Sequence, residues 1–332
     1  MCIRDRNYRD FKPYAKVSSL TLGGGGIGQV WGETTSEEAI KTVHAALDHG
    51  INHFDVAPMY GKGEAERIIG QSLNGLDSDN LFFTTKCQLG TVPDSEVYDK
   101  LNHSLTKSLE NMKLEKVNLF LLHSQLIEDN YKLFKFDEMR AKSATTLSCF
   151  FNAAIPAFDR LKQEGKIDHW GIGGLGQEKA IIQALNHSQA PGAVQCVINP
   201  LNSAGAIGYV SEAFNPQAIL SECNQLGIPI LAIRAVQAGA LTSAMDRSPH
   251  ESGFDKNDFD DFKKAQPFRE LANNWGESPA RLAHRYALSV EGVSSVILGV
   301  KNRIELKECV EAEGDILLSQ SEIQQIENCF ID

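Results

Sequence analysis

The chain has 332 residues, of which 42% are hydrophobic and 23% charged, an ordinary globular mixture. Its formal net charge is −11 with no long basic run, which argues against a nucleic-acid or anionic-membrane surface, because neutralising phosphate needs clustered Lys and Arg. Length alone suggests two domains, but α/β barrels of this size often stand as one.

At the N-terminus, Met1 to Arg6 carry no pattern and resemble translated adapter sequence, so they are set aside as a non-native leader and the folded domain is read as 7–332. No apolar run follows these basic residues, so they are no secretory signal. No stretch of about 18 apolar residues exists to span a membrane. The seven cysteines are odd in number and form no C-x-x-C pair. A reducing, cytoplasmic setting fits them better than a disulfide framework or a zinc knuckle.

Eight short apolar runs follow in order: Leu20–Leu22, Ile51–Val56, Leu81–Thr85, Val117–Leu122, Ile167–Ile172, Ala193–Ile198, Ile228–Ile233 and Val293–Leu298. Each is a candidate strand. Amphipathic segments lie between them. One starts at Thr35, where Thr35 with Glu38 predicts a capping box, and runs through Ile40, Val43 and Leu47 to Gly50. A second puts Val97, Leu101, Leu105, Leu109 and Met112 on one stripe, and a third carries Phe151, Ile155, Phe158 and Leu161 to Gly165. Strands alternating with helices predict a parallel sheet with right-handed crossovers. Eight repeats close into a (β/α)8 barrel; an open doubly wound sheet is the alternative. No Pro/Gly/Ser-rich linker divides the chain into domains. The stretches Leu126–Leu147 and Ala240–Ala265 follow candidate strands and are too long for tight connections, so they are expected to shape a substrate pocket or lid.

Four polar residues stand at or just past successive strand ends: Asp55, Tyr60, Lys86 and His123. Carboxyl ends of barrel strands converge on one face, where catalytic groups collect. A tyrosine titrates near 10, and a nearby ammonium is expected to lower that value. An aspartate paired with the lysine holds it charged and oriented. A histidine can hydrogen-bond a carbonyl oxygen. Together they can protonate that oxygen as hydride reaches its carbon. Taken singly, each residue is more often a loop cap, a surface group, a satisfied core histidine or packing; four in succession are harder to dismiss.

The segment Phe54-Asp55-Val56-Ala57-Pro58-Met59-Tyr60-Gly61, with Gly63-Glu64-Ala65-Glu66 and Ile69-Gly70, resembles the aldo-keto reductase signature. Thr85-Lys86, Leu122-His123, Trp170-Gly171-Ile172-Gly173 and Ile297-Leu298-Gly299 resemble later blocks of that family, in the same order, and the likeness runs from about Val17 to Glu313. The resemblance implies a (β/α)8 barrel, a nicotinamide cofactor held without a Rossmann domain, and interconversion of a carbonyl and its alcohol. It makes Tyr60 the general acid/base, tuned by Lys86 and Asp55, with His123 orienting the carbonyl. It also implies that Gln195 binds the nicotinamide carboxamide and that Gly299, Lys301, Arg303 and Glu305 meet the adenosine end. Gly299 permits close backbone approach, and the helix starting at Asn302 is expected to offer free N–H groups to phosphate. Lys301 and Arg303 pairing with a 2′-phosphate favours NADP over NAD; a solvated basic cap is the plain alternative.

Three positions depart from the family pattern. Gly173-Gly174 stand where Ser-Asn is common, Ile233-Arg234 where an aromatic and a serine are common, and Cys309 where an asparagine is common. Arg234 is expected to pair with the pyrophosphate instead. The run Gly23-Gly24-Gly25-Gly26-Ile27-Gly28 also satisfies G-x-G-x-x-G, but Gln29 to Glu33 intervene before the cap at Thr35, so it is read as a flexible first loop over the cofactor, with Gly24 near it. The substrate, a small carbonyl or sugar, would meet Trp31, Met59 and His123. A regulatory subunit that keeps the barrel and binds cofactor as a sensor is the rival from another class.

Overall fold

The computed structural model describes residues 8–12, 16–133, 139–210 and 214–331; the leader Met1 to Arg6 lies outside them. Twelve strands occur among the described residues: β1 (Tyr8–Asp10), β2 (Lys16–Ser18), β3 (Leu20–Gly23), β4 (His53–Asp55), β5 (Phe82–Cys87), β6 (Val117–Leu122), β7 (Gln125–Ile127), β8 (Ala144–Thr146), β9 (Ile167–Gly173), β10 (Val194–Val197), β11 (Ile230–Ile233) and β12 (Val293–Leu298). Eight of them close into a barrel in the order β3-β4-β5-β6-β9-β10-β11-β12, with β12 returning to β3. All eight contacts are parallel. Every apolar run singled out in the sequence contributes one barrel strand, and the open-sheet alternative is excluded.

The strands are near-continuous apolar runs because both of their faces are covered. Phe83, Phe120, Leu122 and Ile172 face the surrounding helices. Phe82, Leu119, Leu121, Ala193 and Leu231 fill the barrel interior together with Phe11, which comes from the connection after β1. Phe11 meets the edge of Phe82 with ring centroids 5.6 Å apart, so the antiparallel β1–β2 hairpin floors the barrel. Arg9 ties that hairpin to the far end of the chain, donating to the carbonyls of Val293 at 2.6 Å and Leu288 at 2.8 Å. Above the floor a polar layer crosses the interior. His53 bonds Thr21 and Thr84, both at 2.8 Å, and Thr21 bonds Ser295 at 2.7 Å.

The helices bury the stripes the sequence marks, with small differences. Ser36–Asp48 buries Ala39, Thr42, Val43 and Ala46, while Ile40 and Leu47 are half-buried at its edge. Thr35 accepts from the Glu38 N–H at 3.1 Å. The predicted capping box is only half formed, because the Glu38 carboxylate turns to Arg303. The third stripe runs through Leu147–Cys149, a π-helical turn at Phe150–Ala154, and Ile155–Gln163. Pro156 lies inside this rod and lacks an N–H; the widened turn accommodates its ring without breaking the helix.

Neither long connection is plain loop. The first contains the β7–β8 ribbon and the helix Arg140–Ser143, and the second contains the helix Lys256–Lys264. The glycine run is also corrected. Gly24–Ile27 is one buried helical turn rather than a flexible loop. It packs so closely on the β12 connection that a Cβ on Gly26 would overlap the Val300 carbonyl.

Candidate active site

Alternation along the strands decides what points inward. Asp55 on β4 stands opposite Thr84 on β5, so Asp55 and Lys86 emerge side by side at the carboxyl end of the barrel. Both side chains are buried, at 3% and 0% exposure. The Lys86 ammonium donates to Asp55 Oδ1, to the Val56 carbonyl at 3.0 Å and to the Tyr60 hydroxyl oxygen at 3.3 Å. Gln195 on β10 donates to the other Asp55 oxygen at 2.5 Å. The ion pair is therefore fully hydrogen-bonded, which is the condition for a buried charge pair to be tolerated.

Tyr60 reaches the cluster from the turn after β4, whose Gly61 has φ +62° and lies against the Gly28 carbonyl, leaving no room for a Cβ. Gly24 makes the space beneath: its Cβ position lies 3.1 Å from the Tyr60 ring. Gly24 thus makes the room in which the Tyr60 ring sits. His123 follows β6, with its N–H on the Cys87 carbonyl at 2.8 Å. Its ring meets Tyr60 edge-on, centroids 6.2 Å apart. The four residues singled out in the sequence are together.

Their protonation follows from burial. Burial pushes the His123 imidazole down to about 3, helped by Lys86, so the ring is neutral. Burial pushes the Asp55 carboxyl up, against the pull of Lys86 and Gln195. Burial also penalises the Lys86 ammonium, yet Asp55 and Tyr60 together lift it above an ordinary lysine. The expectation for Tyr60 is corrected. Burial raises its hydroxyl above the usual tyrosine value; Lys86 pulls it down, but Asp55 beside that lysine opposes the pull. Tyr60 is a phenol holding its proton, next to a positive charge that would stabilise the phenolate once the proton leaves.

The adenosine-end residues are occupied by partners of the protein's own. Lys301 pairs with Asp246 and with Glu305, the latter at 3.3 Å, and its backbone N–H donates to Glu305 at 2.8 Å. Arg303 makes a forked pair with Glu38, both contacts at 3.0 Å. Asn302 caps the helix Arg303–Glu313 by accepting from Ile304 and Glu305, and Glu38 accepts from the Arg303 N–H at 3.2 Å. The helix start thus holds internal acceptors where free N–H groups were expected, and Glu305 serves as the anchor of Lys301. Trp31 is half-buried, with its indole nitrogen 3.1 Å from the Cβ position of Gly299, while Met59 stands exposed at the rim. Cys309 is buried with its Sγ 3.5 Å from His284.

Arg234, just past β11, is 5% exposed. It donates to Asp258 at 2.5 Å and to Gln237 at 2.8 Å, and its guanidinium lies 5.9 Å from the Trp31 ring. Asp258 also receives Arg247 and the Ala206 N–H. Sequence reading missed Asp258, Gln237 and Asn199 in this network. The only signal for them was their place in or near the long segment after β11 and after β10.

The family model described as Aldo/keto reductase family matches residues 19–331. L-galactose dehydrogenase of Arabidopsis thaliana is 26% identical over 306 residues, covering 91% of this chain and 86% of that protein. L-glyceraldehyde 3-phosphate reductase of Escherichia coli is 24% identical over 345 residues, covering 96% and 90%. Among solved structures, an aldo-keto reductase of Bacillus halodurans in its holo form superposes with a TM-score of 0.72 at 19% identity, covering 98% and 96%. An aldo/keto reductase from Klebsiella pneumoniae in complex with NADP and acetate gives 0.67 at 20%, covering 98% and 95%. The chain belongs to the aldo/keto reductase family. It is an oxidoreductase that interconverts a carbonyl and its alcohol with a nicotinamide cofactor.

Proposed function

We propose that Tyr60 is the proton donor for reduction of a small hydroxylated aldehyde or sugar, with NADP as the preferred cofactor and NAD accepted. The observation that carries this reading is the hydrogen-bonded cluster of Asp55, Lys86 and Tyr60 with His123 against the tyrosine ring.

The residues at the carboxyl face fit a dinucleotide. Among the described residues a buried guanidinium nitrogen of Arg234 has no partner, Gly299 carries no side chain between Trp31 and β12, and Gln195 stands beside the Asp55–Lys86 pair. Gln195, Arg234, Gly299, Lys301 and Arg303 would hold the group, with Glu305 fixing Lys301. Bound there, it supplies hydride to the carbonyl carbon. The protein's share is then electrostatic. His123, neutral down to about pH 3, donates one hydrogen bond and orients the carbonyl oxygen without competing for its proton. Tyr60 passes its proton to that oxygen as negative charge develops, and Lys86 stabilises the phenolate left behind. Asp55 and Gln195 keep Lys86 pointed at Tyr60. In the alcohol-to-carbonyl direction the same groups run in reverse.

The hydroxylated-substrate reading is supported by the names of the two relatives above, a galactose dehydrogenase and a glyceraldehyde-phosphate reductase. The test is fluorescence titration with NADPH and NADH, followed by turnover on a panel of aldoses and simple aldehydes. Tight NADPH binding with turnover abolished in Tyr60→Phe is the expected result. Binding without turnover on any carbonyl would favour the cofactor-sensing subunit instead.

A further inference from the structure

The turn that carries Tyr60 runs straight into the helix Glu64–Ser72, whose Ala65 N–H donates to the Tyr60 carbonyl at 3.3 Å. Glu66, in the first turn of that helix, is fully buried. A glutamate is almost never fully buried unless it is paired. The adjacent Arg67 turns to Glu64 at 2.9 Å, and both hydrogen-bond partners of Glu66 are neutral.

Each carboxyl oxygen takes one donor. Thr85 Oγ1 donates to Oε1 and Asn111 Nδ2 to Oε2, both at 2.9 Å. Thr85 precedes Lys86 on β5, so alternation sends the two side chains to opposite faces of the barrel wall. Asn111 lies at the end of the helix Asp94–Met112. One carboxyl group therefore joins two helices and a strand. The joint is tight. Asn111 Nδ2 lies 2.9 Å from the Cβ position of Gly63, three residues after Tyr60, and a Cβ on Gly70 would overlap the Asn111 carbonyl. These contacts close a ring. Tyr60 leads to the helix, the helix to Glu66, Glu66 to Thr85 and Thr85 to Lys86, whose ammonium returns to the Tyr60 hydroxyl at 3.3 Å. That return is the longest of the three contacts the ammonium makes.

We propose that Glu66 is a positioning residue, a two-armed spacer outside the barrel wall that sets the gap between Lys86 Nζ and the Tyr60 hydroxyl. It acts by reach rather than charge, since its partners are neutral and Lys86 faces the other side of β5. The inference rests on the reading of Tyr60 as proton donor.

The test compares Glu66→Asp, Glu66→Gln and Glu66→Ala in the full chain, with thermal melting as the check on folding. Aspartate keeps the charge but is too short to span both arms. Glutamine keeps the reach: its carbonyl accepts from Asn111 and its amide donates to Thr85 Oγ1, whose proton turns to Ser108 Oγ, 3.4 Å away. With glyceraldehyde and NADPH, kcat should fall roughly 10- to 100-fold in the Asp and Ala variants, because a displacement of about 1 Å costs a reacting pair that much. KM and the NADPH dissociation constant should stay within about twofold. Glu66→Gln should recover most of the lost turnover. In a Tyr60→Phe background Glu66→Asp should cost little more, because both changes act on one contact. The same four proteins unfolded in urea should show coupled rather than additive losses of stability, a reading that needs no turnover. A folded Glu66→Asp with wild-type kcat, a Gln variant as impaired as Asp, or losses that simply add would each overturn the spacer. Full turnover in Tyr60→Phe alone would instead overturn the proton-donor reading.

Discussion

Replacing Lys86 by methionine keeps the length of the side chain and removes its charge. Asp55 is then left buried, with Gln195 as its remaining side-chain donor. Breaking a buried pair from one side costs on the order of 3–5 kcal/mol, because the surviving charge is uncompensated. For a chain of this size that lowers the melting temperature by roughly 4–7 °C. The deficit depends on pH, and its sign follows from the Asp55 carboxyl. Burial already raises its pKa in the native protein, and removing Lys86 takes away the main opposing pull. A carboxyl raised above its unfolded value of about 3.9 favours folding only when protonated. The stability it allows is therefore full at low pH and is lost as pH rises toward the folded pKa. The difference between wild type and variant should shrink from pH 8 toward pH 4.5. Urea unfolding followed by tryptophan fluorescence and circular dichroism together measures it and checks for a single transition. The pair Asp55→Asn with Lys86→Met removes both charges and should recover most of the loss, since a neutral pair carries no desolvation penalty. Turnover stays absent in both. A single variant within about 1 kcal/mol of wild type, with no pH dependence, would refute the reasoning.

Tyr60→Phe should lower kcat by roughly 10²- to 10⁴-fold and leave the NADPH dissociation constant within about twofold. His53 and His123 both titrate near 3, driven down by burial. Protonation therefore opposes folding, and stability held above pH 6.5 should fall as the pH drops, by on the order of 1 kcal/mol per pH unit for each ring; His53→Asn should flatten the slope seen in an acid unfolding series. Glu38→Gln frees the exposed Arg303 from its carboxylate, so NADPH should bind several-fold tighter while NADH is unmoved, with stability changed by less than about 1 kcal/mol. Gly26→Ala should cost about 1–3 kcal/mol or more, read as a lowered melting temperature, because the added methyl meets backbone at Val300.

The barrel was legible because its strands must be apolar on both faces, which leaves eight short runs in plain view. The four candidate catalytic residues were legible because each closes or follows such a run, at Asp55, Tyr60, Lys86 and His123. Short elements held by tertiary contact were not. The strands Tyr8–Asp10 and Gln125–Ile127 are three residues each and carry no periodicity. The π-turn at Phe150–Ala154 depends on how the rod absorbs Pro156. Ion-pair choices were hidden for the same reason. Nothing local says that Arg303 turns to Glu38, 265 positions away, or that Asp246 reaches Lys301. The direction of the Tyr60 shift turned on burial, which a residue list does not contain.

The hydrogen-bonded floor of the barrel has a consequence for how the chain is made. Arg9 is synthesised early, yet its two carbonyl partners lie 279 and 284 positions later. During translation at ≈ 5–20 residues per second, the hairpin waits many seconds without its anchor. The hairpin that carries Phe11 is tied down only when Val293 on the last strand arrives. The barrel and its plug are therefore completed in one late event, and before it the interior layer of Phe82, Leu119 and Leu121 is open from below. Chaperone dependence during biogenesis should be concentrated in that interval, and a ribosome stalled just after Leu288 would display the open floor.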